Sequence, residues 1–198
     1  MKKLMILFSA VFILTAAATE DSVKLVLKDM EKFRSEMNGS AILELLHPAY
    51  VEIDAEGNKK EYAQIKDEML QLDAMRKVIT QATMPEASLL DIVSAVFAMS
   101  QNEMTPELRE TINSLENSVE GKKLAAESAK ILSDIHSMYL ESERKMWAGS
   151  EVISVKVDKE SAQLVFKIKA QDSERIDECT LDMEKVNGKW LVKKSVCK

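Results

Sequence analysis

The chain has 198 residues, of which 46% are hydrophobic, 27 are Lys or Arg and 33 are Asp or Glu. A chain of this length forms one domain or two small ones and buries roughly 70% of the surface of its unfolded state, which excludes a disulfide-dense miniprotein. A net charge of −6, five Gly and three Pro exclude a low-complexity or disordered chain and argue against nucleic acid as a partner.

The amino terminus has the pattern of an export signal. Met1–Lys3 is basic, Leu4–Leu14 is apolar, and Ala16–Ala18 supplies the small side chains that signal peptidase accepts. The sequence therefore predicts a signal peptide over residues 1–18 and a periplasmic or secreted mature chain that begins at Thr19. The apolar run is shorter than the ~20 residues that span a bilayer, and we expect no membrane span in the mature chain.

The first part of the mature chain predicts two helices. Apolar residues from Val23 to Met37 recur at helical spacing, and Asn38-Gly39 is typical of a left-handed stop. Ser40 is then the expected cap of a short helix over Ala41–Leu46. His47-Pro48 ends that helix, because the residue before proline is disfavoured in the helical conformation.

A short strand and a third helix follow. The segment Tyr50–Asp54 alternates like a strand, and Ala55–Asn58 has turn chemistry. Apolar residues from Tyr62 to Ile79 then form one helical stripe. Pro85 and Pro106, each followed by Glu, predict two further helix starts.

The middle of the chain is predicted to be helical. The segment Leu89–Met99 has only a narrow polar strip, so we expect a mostly buried helix there. After Pro106 the apolar stripe pauses at Gly121 and resumes toward Trp147. This pattern predicts either one long helix, kinked near Gly121, or two helices in a hairpin, ending at Ala148–Ser150.

The last 48 residues change from a period of 3.6 to a period of two. Ile153–Val157 and Ala162–Ala170 alternate between apolar and polar residues, and Cys179–Met183 begins a third strand. Asn187-Gly188 is a strong hairpin turn that leads into a fourth strand, Lys189–Cys197. The pattern predicts an antiparallel meander of four strands.

These elements together resemble a known superfamily. Two helices, the segment Leu46–Asp54 with its turn Glu56–Asn58, another helix, and hairpins that end in Val186–Val192 are similar to the nuclear transport factor 2-like (SnoaL-type) superfamily. The resemblance covers about residues 22–72 and 150–197. It implies an α+β fold in which a cone-shaped, curved antiparallel sheet packs on N-terminal helices and leaves a pocket at its mouth.

The same resemblance sets the expected domain organisation. Residues 19–198 form a single SnoaL-like domain. The simplest members pass almost directly from the third helix into the sheet, so the helical residues at about 73–148 are an insertion. The insertion is expected to cap the pocket, to fill it, or to form a partner surface.

The resemblance implies no complete catalytic site. Members that resemble ketosteroid isomerases use an Asp near the end of the first strand as a base, with a Tyr and a neutral carboxylic acid. Asp54 lies close to that place, but the first helix carries Phe33 and no Tyr, and the strand at Leu164–Lys167 offers no acid. We therefore interpret Asp54 as a turn residue and predict no catalytic residue. An isomerase, cyclase or hydratase that uses Asp54 stays open as the alternative.

The sequence predicts neither a metal site nor a cofactor. His47 and His136 are the two histidines, and neither belongs to a spacing that is typical of zinc ligands. The chain also lacks a glycine-rich phosphate loop and a Gly-x-Ser-x-Gly nucleophile motif.

The leading hypothesis is an exported binding module. It binds a small hydrophobic or lipid-like ligand or a protein partner, while a structural homodimer that pairs through the open sheet face is a further alternative. Strand alternation and helical spacing give the candidate pocket residues, which are Phe33, Met37, Phe166, Ile168, Leu181 and Trp190.

The two cysteines predict one intrachain disulfide. Both Cys179 and Cys197 lie in the mature chain, and an exported protein meets an oxidising environment. Cys179 lies eight residues before Asn187 and Cys197 nine after Gly188, so a hairpin places them nearly opposite. The alternative is a pair of buried, reduced thiols, because a slip of one residue would turn one of them to the other face.

Overall fold

The computed structural model describes residues 20–84, 87–99, 102–169 and 175–198. The predicted signal peptide, the helix start at Pro85 and the strand end at Ala170 lie outside these residues. In chain order the elements are α1 (20–35), α2 (Gly39–Leu43), β1 (Leu46–Ile53), β2 (Lys59–Glu61), α3 (Tyr62–Ala82), α4 (Leu89–Met99), α5 (Pro106–Glu116), α6 (Val119–Trp147), β3 (Glu151–Asp158), β4 (Ser161–Lys169), β5 (Ile176–Val186) and β6 (Lys189–Cys197).

The six strands form one curved, unclosed sheet in the order β2-β1-β6-β5-β4-β3. Strands β3 to β6 form the predicted antiparallel meander. Asn187 and Gly188 both adopt positive φ at its last turn, as a tight hairpin requires. Strand β1 pairs antiparallel with β2 but parallel with β6, so the sheet is not antiparallel throughout.

The core lies between one face of the sheet and the helices α1, α2, α3 and α6. Val23, Ile65 and Leu164 are among its buried residues, together with Leu181 and Val192. At the end of α6 the Trp147 ring is stacked on Phe166 with the ring centroids 6.4 Å apart. This stacking fixes the end of the longest helix on β4, the strand next to the edge strand β3.

The turn between α1 and α2 differs from the prediction. Met37, not Gly39, adopts the left-handed conformation, with φ 51°. Asn38 caps α2 by accepting a hydrogen bond from the amide of Ala41, so the predicted Ser40 cap over Ala41–Leu46 is wrong. Gly39 is required because a Cβ there would lie 1.9 Å from the carbonyl oxygen of Met69. The glycine allows α2 and α3 to touch.

Strand β1 begins four residues earlier than the predicted strand, which started at Tyr50. His47 and Pro48 are part of β1 and do not end a helix. The pairing of Leu46 with Val192 on β6 extends the strand, and this long-range contact has no signal in the local sequence. The register shifts between Leu46 and Val51, where Pro48 lacks the N–H that a regular ladder uses.

The helical region resolves the alternatives left by the sequence. The chain breaks at Asn117-Ser118, so α5 and α6 are two helices and not one kinked helix. Helix α5 begins at Pro106, as predicted; Thr105 caps it, and Ser118 caps α6. In α4, Leu89 and Ile92 are buried, whereas Val96 is 37% exposed. Among the residues described, no helix is both long and apolar enough to cross a membrane.

Candidate functional site: the cavity inside the curved sheet

A cavity of about 500 Å³ lies between the curved sheet and the helices. Strands β1, β4, β5 and β6 form one wall, while α1, α3 and α6 form the other. A larger groove of about 830 Å³ lies at the tip of the β3–β4 hairpin, but it is shallow and lined mainly by charged side chains. The cavity inside the sheet is therefore the better candidate for a binding site.

The inner walls of the cavity are apolar. On the helical side they include Trp147 and three methionines, Met30, Met69 and Met146, and the sheet contributes Phe166. Thioether side chains are flexible and polarisable, so they adapt to ligands of different shape. The cavity can therefore enclose an apolar group without a single fixed shape.

A polar pair interrupts this apolar wall on β1. Tyr50 and Glu52 lie two residues apart, so they point to the same face of the strand, and the Tyr50 hydroxyl lies 3.2 Å from Glu52 Oε2. Burial and the neighbouring Glu52 carboxylate raise the pKa of Tyr50 far above its usual range. The phenol thus stays protonated and donates to the carboxylate. Arg34 and Lys60 form ion pairs with Glu143 and Glu68, and the lone pairs that Tyr50 leaves unused on Glu52 can accept a further hydrogen bond from a ligand.

An ion-pair group lies at the mouth of the cavity. Arg175 contacts the buried Asp177 on β5, with 2.7 Å between Nε and Oδ1. Its Nη1 atom lies 3.0 Å from Glu56 Oε1 in the turn between β1 and β2. The guanidinium therefore joins two separate parts of the rim.

Asp54 has the structural role that the sequence predicts. Its Oδ1 accepts from the amides of Glu56 and Asn58, and its Oδ2 accepts from the Asn58 side chain at 2.9 Å. These hydrogen bonds, that of the Asn58 side chain above all, lower the pKa of Asp54. The carboxylate lines the cavity mouth, but both of its oxygens are used by the turn.

A second polar group connects α6 to α1 beside the cavity. Buried Glu143 accepts from the Trp147 indole N–H at 3.2 Å and lies 4.0 Å from the guanidinium of Arg34. The Tyr139 hydroxyl donates to the carbonyl of Arg34 at 3.0 Å. These contacts hold Trp147 in place as part of the wall.

Three of the six candidate pocket residues line this cavity: Phe166, Ile168 and Leu181. Phe33 and Trp190 line a different groove, of about 360 Å³, between α1 and the start of β6. Met37 is fully buried in the turn between α1 and α2. Alternation along a strand identified the inner face of the sheet, but the side of α1 that faces the cavity depends on how the helix is placed.

Tyr50, Glu52 and Trp147 line the cavity but are not among the residues predicted from the sequence. A signal was present for the first two, because a polar pair at i and i+2 of a half-buried strand shares one face. No local sequence pattern distinguishes Trp147 from any other apolar residue at the end of a helix.

The predicted disulfide between Cys179 and Cys197 is present, and both residues border the cavity. One extra residue in β6 aligns the two cysteines across β5 and β6. Met183 pairs with Val192 but Asp182 pairs with Lys194, so Lys193 is bulged. The inward face of β6 consequently changes from even to odd positions, and this change brings Cys197 directly opposite Cys179.

The histidines lie apart from the cavity. His47 Nδ1 accepts a hydrogen bond from the amide of Ala49 at 3.0 Å. His136 is half-buried on α6. Within the described part of the chain, no three His, Cys, Asp or Glu side chains are grouped so that they could hold a metal ion.

The chain matches no protein-family model and no curated protein. Among solved structures it is similar to an NTF2-like protein of unknown function from Silicibacter pomeroyi, with 9% identity over 92% of this chain and 97% of that chain and a TM-score of 0.46. A second such protein, from Shewanella oneidensis, has 11% identity over 89% and 96% and a TM-score of 0.42. A third, from Pseudomonas putida, has 7% identity over 92% and 87% and a TM-score of 0.41. These likenesses concern the fold alone.

The strand order, the curved sheet and the helices on its inner face define the class of the molecule. The chain has the predicted α+β fold, in which a curved, unclosed sheet packs on helices, and this fold is similar to that of the NTF2-like structures named above. The single domain over residues 19–198 and the status of residues 73–148 as an insertion stay predictions.

Proposed function

We propose that this chain is an exported binding module that holds a small, largely apolar ligand in the cavity inside the curved sheet. The observation that carries the proposal is the cavity itself. Its volume of about 500 Å³ lies within the range of ~300–1,000 Å³ that is common for small-molecule sites. Such sites combine apolar walls with a few polar groups, as this cavity does.

The polar pair on β1 supports a ligand that also carries a hydrogen-bond donor. Glu52 accepts from Tyr50 and retains capacity for further donors, because a carboxylate has about four lone-pair sites. A hydroxyl, an amide or an amine at one end of an apolar ligand would satisfy it. An entirely apolar ligand would leave the half-buried carboxylate without a further partner, at a cost in affinity.

No observation favours an enzyme that uses Asp54. Its carboxylate is occupied by the turn between β1 and β2, and its lowered pKa makes it a weaker general base. The disulfide supports export, because such bonds persist in oxidising compartments.

The test is binding of the neutral fluorophore N-phenyl-1-naphthylamine, followed by its own emission. We expect saturable binding that Ile168→Trp weakens strongly, because the larger side chain fills the cavity mouth. The matched control is Ile153→Trp, at an exposed strand residue that does not line the cavity. Equal binding by the two variants, or no saturable binding by the unsubstituted chain, would contradict the proposal.

Native mass spectrometry complements this test. Protein purified from its own host should retain a bound small molecule, and Ile168→Trp should lose it while Ile153→Trp does not. Quenching of intrinsic fluorescence by the retained ligand should disappear in Trp147→Phe and persist in Trp190→Phe, because only Trp147 borders the cavity.

A further inference from the structure

An apolar stripe runs along the outer side of α6. Four side chains form it, at intervals of seven, four and three residues, which places them on one side of a helix. We call it the outer stripe; its members, with their exposed fractions, are Leu124 (45%), Ile131 (59%), Ile135 (43%) and Met138 (70%).

The outer stripe is not needed to pack α6 on its own molecule. A different side of the helix faces α3, α4, α5 and the sheet, and it carries the buried residues Gly121, Glu143 and Trp147. A row of large exposed apolar residues over about half of a long helix marks an interaction surface more often than a bare solvated face. Solvation alone would favour polar residues at these four positions.

The charges beside the stripe indicate what covers it. If a second α6 lies antiparallel across the first, with a twofold axis close to Ile131, facing apolar residues have numbers that sum to 262, and facing charged residues on the flank have numbers that sum to 264 or 265. Leu124 then meets Met138, and Ile131 meets its own copy. Three pairs of opposite charge flank this apolar contact, each formed twice by the symmetry: Glu120 with Lys145, Lys123 with Glu141, and Lys130 with Asp134.

The same charges disfavour neighbouring registers. A shift of three residues in one direction brings Glu127 against Asp134, and a shift of four in the other brings Lys123 against Lys145. Like charges at facing positions repel each other, so they disfavour these two alternative alignments. Existing intrahelical pairs, such as Lys123 with Glu127, are exposed, so exchanging partners costs little.

We propose that this chain forms a homodimer through antiparallel pairing of the α6 outer stripes, with the twofold axis near Ile131. This surface differs from the open sheet face expected from the resemblance. It does not include the cavity inside the sheet. A failure of the dimer proposal would therefore leave the proposed binding function untested, and the reverse also holds.

The first test is sedimentation equilibrium of the mature chain. We expect a dimer whose dissociation constant rises by about tenfold or more in Ile131→Glu, because a charge would be buried at the centre of the contact. Ile176→Glu is the matched control, since Ile176 is 64% exposed, close to the value of Ile131, but lies at the start of β5. A monomeric wild-type chain, or an Ile131→Glu variant that dimerises as tightly as the control, would overturn the proposal.

The second test fixes the geometry. Both native cysteines are in the disulfide, so one introduced cysteine is the sole free thiol. Ile131→Cys should cross-link to its own copy on oxidation. Leu124→Cys should not do so alone, but should cross-link when mixed with Met138→Cys. Efficient self-cross-linking of Leu124→Cys would indicate a parallel pairing and refute the antiparallel arrangement.

The third test concerns register. Lys123→Glu and Glu141→Lys should each weaken the dimer several-fold, and the double variant should restore it. Additive losses in the double variant would show that these two residues do not face each other, which would contradict the proposed register.

Discussion

Asp73 is a buried carboxylate on α3 that organises the start of α2. It accepts from the amides of Gly39 at 2.9 Å and Ser40 at 2.8 Å and also from the Ser40 hydroxyl. Its partners lie 33 and 34 residues away in the sequence. Charge-assisted hydrogen bonds of this kind stabilise more than neutral ones, because the acceptor carries a full charge.

Asp73→Asn should destabilise the fold. The amide group can accept from one of the backbone donors, but its NH₂ would face the other, so we expect a loss of about 2–3 kcal/mol in the free energy of unfolding. Urea denaturation measures it. Asp67→Asn, at an exposed position of the same helix, is the control and should change stability by less than about 0.5 kcal/mol.

Tyr139 lowers the free energy of unfolding at alkaline pH. Burial, with a smaller contribution from Glu143, raises the pKa of Tyr139 from 10.0 to about 12. The unfolded chain therefore loses this proton at a lower pH than the folded chain. Its contribution to stability is complete below pH 10 and is lost as the pH rises toward 12.

Tyr139→Phe should flatten the alkaline fall in stability between pH 10 and 12. The variant also loses the hydrogen bond to the carbonyl of Arg34, so it is less stable at every pH, and the informative quantity is the slope against pH. Chemical denaturation at a series of pH values provides this slope. A slope that equals that of the wild-type chain would contradict the assignment.

At the scale of elements, α2 and α3 depend on one glycine. A Cβ at Gly39 would lie 1.9 Å from the carbonyl oxygen of Met69, which belongs to helix backbone and cannot move aside. Gly39→Ala should therefore cost about 3 kcal/mol or more in the free energy of unfolding. Gly149→Ala is the matched control, because nothing lies within 4 Å of its Cβ position. Equal thermal shifts for the two variants would contradict this account.

The disulfide joins β5 to β6 across 18 residues. Replacing both cysteines by Ala should lower the free energy of unfolding by about 3 kcal/mol, mainly because the unfolded chain gains freedom. A reducing agent should destabilise the wild-type chain by a similar amount and leave the double variant unchanged. If the reductant destabilised the double variant as much as the wild-type chain, the loss of stability would not come from the disulfide.

The elements that the sequence predicts well are those whose signal is local. The hairpin at Asn187-Gly188 and the helix that starts at Pro106 follow from turn and cap chemistry within a few residues. The early start of β1 and its parallel pairing with β6 were missed, because both depend on contacts between distant parts of the chain. The same limit applies to Met37, whose left-handed conformation has no residue signal.

At the scale of the whole molecule, the mature chain is expected to begin at or within a few residues of Thr19. The predicted signal peptide would be removed on export, where the disulfide can form. Intact mass of the protein recovered from its native compartment measures this. A mature chain that retains Lys2 and Lys3, or one found only in the cytoplasm, would contradict the prediction.

The candidate site was only partly predictable at this scale. Alternation placed Phe166, Ile168 and Leu181 on the inner face of the sheet, where they line the cavity. Phe33 and Trp190 were grouped with them because helical spacing for the first and strand alternation for the second indicate a buried side chain, but both line a separate groove. A periodic pattern identifies which face of an element is buried, but it does not identify the element that packs against that face.

Because Lys193 is bulged, β6 can lose a residue at this position and keep its alignment with β5. Deleting this residue would convert the ladder into a regular one in which Cys197 still lies opposite Cys179, because the hairpin register then continues without an offset. Deleting Leu191 instead would turn Val192 outward and place a lysine in the core. A variant one residue shorter at the bulge can therefore retain the covalent bond and the cavity wall, whereas the same shortening two positions earlier disrupts the inner face.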